Sequence, residues 1–78
     1  MSEPHSEARA LLAEALGMPA DALPEGASAD DIEAWDSLAH MRLVLALEAR
    51  LGRQLAPETI LGITTLHAIA ALLPAQAG

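Results

Sequence analysis

Trp35-Asp36-Ser37-Leu38-Ala39-His40-Met41-Arg42-Leu43-Val44-Leu45-Ala46-Leu47-Glu48-Ala49-Arg50-Leu51-Gly52 is the stretch whose reading decides the fold. An Asp before an apolar periodic run is a helix cap, because its carboxylate accepts from the free N–H groups of the first turn. Gly52 suits the left-handed residue that closes a helix. A helix is therefore predicted from Asp36 to Gly52, with Ser37 at its first helical position, beside the positive end of the dipole. Leu43, Val44, Leu47 and Leu51 recur at helical spacing and form one apolar stripe. Leu38, Met41 and Leu45 form a second stripe on roughly the opposite side. One stripe is enough to face a small core, so the second is expected to serve an interaction.

Outward from this helix the chain is punctuated clearly. Ser2 to Leu16 reads as a first helix, with Ala8, Leu11, Leu12, Ala15 and Leu16 at helical spacing. Ser2 or Ser6 is its candidate cap, and Glu3 or Glu7 would lie in its first turn facing the positive dipole end. Gly17 and Pro19 end it. Met18 to Trp35 is a long connection broken by Pro19, Pro24 and Gly26, with Leu23 and Ile32 expected to tuck into the core. Loops of this length inside a compact domain are often functional.

Beyond Gly52, Arg53 to Ala56 reads as a link and Pro57 to Leu61 as a short helix stopped by Gly62. Thr64 or Thr65 caps a last helix to Leu73, with Leu66, Ile69 and Leu73 on one face. Pro74 stops it, and Ala75 to Gly78 is expected to fray. The expected fold class is all-α: a small four-helix bundle with a short third helix and a long loop between helices 1 and 2. One domain is expected over residues 1–78, with an ordered core of about 5–73 and a short flexible tail.

Composition points the same way. Of the 78 residues, eighteen are Ala and fourteen Leu, both strong helix formers, and there is no Phe or Tyr. A chain of this size builds a core worth roughly 3–5 kcal/mol net, too little to enclose a large catalytic pocket. The net charge of -7, without any Lys, disfavours nucleic acid and anionic membrane surfaces as partners. The absence of Cys removes disulfides and thiolate metal sites. No secretory leader pattern or membrane-spanning run is visible, so a cytoplasmic location is expected.

Asp36, Ser37 and His40 invite comparison with a catalytic triad. Such a triad needs the imidazole on the serine hydroxyl and a carboxylate on the far ring nitrogen. Asp36 is occupied as a cap, and no third group is placed to orient His40. No catalytic residue is assigned. No metal site is assigned either, because His5, His40 and His67 lack paired ligand spacing. What remains is a serine displayed at a helix N-terminus, a position that favours anions such as a phosphate ester.

Trp35-Asp36-Ser37-Leu38, continued by Met41-Arg42-Leu43-Val44-Leu45-Ala46-Leu47-Glu48, resembles the acyl carrier protein family. The long first loop, the short third helix and Ile63-Thr64-Thr65-Leu66 at the start of the last helix are also similar to that family, over roughly residues 5 to 73. The resemblance implies that Ser37, with Asp36 beside it in the attachment motif, carries a 4'-phosphopantetheine arm added from coenzyme A by a phosphopantetheinyl transferase. The arm would hold an acyl or aminoacyl group as a thioester, and the protein would shuttle it between enzymes without being a catalyst. Leu38, Met41 and Leu45 match positions that face partner enzymes or the arm.

One departure from the family pattern is informative. Fatty acid carriers tend to have an acidic exposed face on the second helix, whereas here Glu48 is its only interior acid, beside Arg42 and Arg50. Residues 1–36 hold nine acids and one Arg, giving -8, and residues 37–78 hold two acids and three Arg, giving +1. Asp30, Asp31 and Glu33 are therefore expected to take part in docking, with Arg42 selecting among partners and Glu48 on the same partner-facing set. Trp35 is expected to cover the loop–helix junction, pairing imperfectly with His40 as a hydrophobic staple.

The reading is a stand-alone acyl carrier, expected to be a monomer. Its partners would be the transferase, an acyl- or aminoacyl-loading ligase, and a downstream transferase or synthase. The alternative in the same class is an aminoacyl or peptidyl carrier loaded by an adenylating ligase. Such carriers usually place glycines just before the serine, where this chain has Ala34-Trp35-Asp36. A reading from another class is an unmodified helical adaptor that uses the second stripe to bind a partner.

Overall fold

The alternation of apolar stripes and helix punctuation produces four α-helices in a computed structural model, which describes residues 3–73. These are α1 (Glu3–Leu16), α2 (Ser37–Leu51), α3 (Pro57–Gly62) and α4 (Leu66–Leu72), with a single 3-10 turn at Ala20–Ala22 in the first loop. The all-α class, the short third helix and the long first loop are as expected. The candidate cap Ser2, the stop at Pro74 and the tail 75–78 lie outside the described residues.

The helix ends show which local signals were sufficient. Asp36 caps α2, its Oδ1 accepting from the Ala39 amide at 2.9 Å, and Gly52 closes it in the left-handed conformation at φ 72°. Gly17 turns left-handed after α1 in the same way. Thr65, and not Thr64, caps α4, accepting from the Ala68 amide at 3.0 Å.

Two expectations are corrected. Ser6 lies inside α1 and does not cap it, and Glu7, one residue on, is turned to an ion pair with Arg50 of α2. Gly62 does not stop α3; it is its last helical residue and has no positive φ among the described residues. The chain leaves α3 at Ile63, whose side chain is buried in the core.

α1 packs against both α2 and α4. The fully buried large side chains are Leu12 from α1, Leu43 and Leu47 from α2, Ile63 after α3, and Leu66 and Ile69 from α4. Leu55, in the link that sequence pattern left unassigned, also enters the core, and its amide donates to Glu48 Oε2 at 2.9 Å.

The long loop is fastened at two places. The Arg9 guanidinium donates through Nη1 to the carbonyls of Ala20 and Leu23, at 3.1 and 2.6 Å. Further along, Ser28 and Thr65 form an isolated antiparallel bridge. There the Ala29 amide donates to the Thr64 carbonyl at 2.8 Å and the Leu66 amide to the Ala27 carbonyl at 2.9 Å. Leu23 and Ala27 are buried and Ile32 is half-buried, so apolar packing backs these hydrogen bonds. The result is a loop held close to the start of α2.

Candidate functional site

Ser37 is exposed at the first position of α2. Its place follows from the Asp36 cap, which fixes where the helix begins. Helix geometry leaves the first amides of a helix without intrahelical acceptors, and Asp36 takes up that of Ala39. The amides of Ser37 and Leu38 therefore contribute positive potential where an ester on Ser37 would sit.

A groove of about 310 Å³ opens beside Ser37. Its walls are Ser37 and His40 on α2, Leu61 on α3, Ile63 and Thr64 in the connection to α4, and Ala29 and Trp35 from the long loop. Trp35 keeps only 6% of its surface exposed.

His40 joins these walls together. The indole N–H of Trp35 can only donate, so its 3.1 Å contact makes His40 Nδ1 an acceptor. The hydrogen of the neutral ring then lies on Nε2, which donates to the Ile60 carbonyl of α3 at 2.9 Å. The two rings lie 6.3 Å apart at 26°, in a stacked arrangement. The imperfect staple expected from sequence is thus completed by a hydrogen bond and stacking. With both nitrogens engaged, the imidazole in this arrangement is not available to take a proton from Ser37.

The other predicted residues fall into separate groups. Leu38, Met41 and Leu45 expose 61%, 57% and 59% of their surfaces, although each is large and apolar. Leu61, 79% exposed, adds an apolar side chain from α3 on the groove side. Arg42 is exposed on α2. Asp30, Asp31 and Glu33 are exposed in the loop between the groove residues Ala29 and Trp35. The amides of Asp31 and Ile32 both donate to the Ser28 carbonyl, which turns the chain there. Glu48 is half-buried, and its carboxylate accepts from Leu55, so it holds the link after α2.

Sequence reasoning missed Leu61 and the bridge from His40 to Ile60. Leu61 had a weak signal: Ile60 and Leu61 are adjacent in a six-residue helix, so the two side chains cannot face the same way. The bridge had none, because its partners lie 20 residues apart.

This arrangement fits a phosphate-linked arm on an exposed serine. Ser37 is exposed, the helix start offers amides, and the groove beside it has Leu61 and Thr64 among its walls. A family model for the phosphopantetheine attachment site matches residues 6–73, and the chain belongs to that family of carrier proteins, of the acyl carrier type. Comparison with curated proteins finds no match. The family's cofactor is covalently attached 4'-phosphopantetheine, and carrier domains of this kind work with phosphopantetheinyl transferases and biosynthetic enzymes. Among the described residues, no helix is long and apolar enough to cross a membrane.

Proposed function

We propose that this chain is an acyl carrier whose arm is attached at Ser37. The observation that carries the reading is the exposed Ser37 hydroxyl at the capped start of α2, at the edge of the groove. In the attachment step, Ser37 Oγ forms a bond to the phosphopantetheine phosphorus of coenzyme A. The pyrophosphate bond breaks, 3',5'-ADP leaves with the electron pair, and the hydroxyl proton passes to the transferase. The attached arm supplies a terminal thiol that holds cargo as a thioester. The chain's own residues present that arm and are not catalysts: Asp36 fixes the helix start, and Leu61 and Thr64 line its path.

Leu38, Met41, Leu45 and Arg42 form the proposed docking face on α2, with Asp30, Asp31 and Glu33 as its acidic rim. Rim charges of this kind chiefly set encounter rate and partner choice. The Ala34-Trp35-Asp36 sequence, without glycines before the serine, supports acyl over peptidyl cargo.

The test is intact mass after incubation with coenzyme A and a broad-specificity phosphopantetheinyl transferase. Gain of one phosphopantetheine, lost in Ser37→Ala, is expected. No gain, or a gain that survives the substitution, overturns the reading and favours an unmodified adaptor. For the docking face, Arg42→Glu is expected to change relative loading rates among several partner enzymes while leaving the fold intact. Identical rates across them would remove Arg42 from the face.

A further inference from the structure

We infer that the cargo of this carrier stays outside the helix bundle, so that its chemical class is short or polar acyl groups and not long alkyl chains stored in the core. The inference rests on attachment of the arm at Ser37. It comes from what lines the groove.

One way for an alkyl chain on the arm to reach the core is between α2 and α3, since His40 of α2 and Leu61 of α3 both wall the groove. That seam is bridged by His40, which is bonded on one side to the Trp35 indole and on the other to the Ile60 carbonyl of α3. Trp35 and Ile63, at 6% and 1% exposure, are the most deeply buried of the groove's lining residues. Behind them Leu43, Leu47, Leu66 and Ile69 have no exposed surface. Entry of a chain there would therefore separate the Trp35–His40–Ile60 series. It would leave an indole N–H and a carbonyl facing hydrocarbon, where an unpartnered polar group is costly.

These core residues are fully buried, and forcing added methylenes into a packed core is itself destabilising. The groove itself asks for something different. Its 310 Å³ lies at the lower end of the ~300–1,000 Å³ range of small-molecule pockets. It also mixes the apolar Leu61 and Ala29 with the hydroxyls of Ser37 and Thr64. A polar arm and a small acyl group match those walls, and a long alkyl tail does not.

The experiment loads the full chain from acetyl-, butanoyl- and octanoyl-coenzyme A with a broad-specificity transferase and confirms each mass. If Ser37 takes no arm, the attachment reading fails at this first step and is recognised by mass alone. On the loaded proteins, thioester cleavage by hydroxylamine is compared with that of the matching free acyl-pantetheines. Methyl and indole NMR signals are then recorded for Leu43, Leu47, Ile69 and Trp35.

The expected result is the same protection factor for all three chain lengths, within about threefold, with core methyls and the Trp35 indole signal independent of chain length. About tenfold greater protection of the octanoyl thioester, or core methyl shifts that grow with chain length, would overturn the inference while leaving Ser37 as the anchor.

Discussion

His40 satisfies Trp35 and Ile60 together only as the neutral ring with its hydrogen on Nε2. His40→Ala leaves both partners without their bonds in a half-buried site, and orphaned groups of this kind cost about 1–3 kcal/mol. A loss of that size is expected in urea unfolding, followed by the fluorescence of the chain's single Trp. Asp36 gives a separate handle on the helix start. Asp36→Ala is expected to lose about 1 kcal/mol and Asp36→Asn close to nothing, because Asn keeps the cap acceptor. Equal losses in the two variants would assign the effect to charge and not to the hydrogen bond of 2.9 Å to Ala39. The cap at Asp36 was legible in the sequence, and that of α4 was narrowed to Thr64 or Thr65, because each acts on an amide three residues away. The partner of His40 was not, since only the packing of α3 on α2 brings Ile60 within reach.

At the scale of elements, the four helices follow from apolar spacing and from their caps, glycines and prolines. The course of the long loop does not, because its restraints come from distant parts of the chain. Arg9, placed on α1 as one basic residue among many acids, reaches the carbonyls of Ala20 and Leu23. Hydrogen bonds from a charged donor contribute about 1.5–3 kcal/mol where both partners are sheltered. Arg9→Ala is therefore expected to reduce stability by roughly that amount and to speed hydrogen exchange around residues 20–23 before it affects the core of α2. Uniform acceleration across α1, α2 and α4 would show that Arg9 supports the whole bundle and not the loop. Glu48 carries a related lesson. Sequence placed it among partner-facing charges, but its carboxylate is engaged by the Leu55 amide, an interaction created by the turn after Gly52.

For the whole molecule, the stability margin is narrow. Leu47 is fully buried, and Leu→Ala at such sites costs about 2–5 kcal/mol, comparable to the roughly 3–5 kcal/mol a core of this size supplies. Leu47→Ala is expected to leave a large unfolded fraction at 25 °C, seen as lost helical circular dichroism, which excess osmolyte restores in part. Full helicity with an unchanged urea midpoint would contradict the assigned core. The division of charge was readable from sequence: -8 over residues 1–36 and +1 over residues 37–78. What it could not give was the placement of the acids Asp30, Asp31 and Glu33 between two residues that wall the groove. That placement depends on how the loop is folded back.

The contacts between 27–29 and 64–66 also have a consequence for chain architecture. They join two points with α2 and α3 lying between them, so both helices that wall the groove are carried on a ring closed by hydrogen bonds. The entropy of closing a ring rises only with the logarithm of its length, about 0.6 kcal/mol for each doubling. Residues inserted at the exposed Arg53–Gln54 would therefore enlarge the ring at little cost. A cut at the same place would leave α2 whole but unjoin the two sides of the ring, so the hydrogen bonds at 27–29 and 64–66 would have to hold together two separate chains.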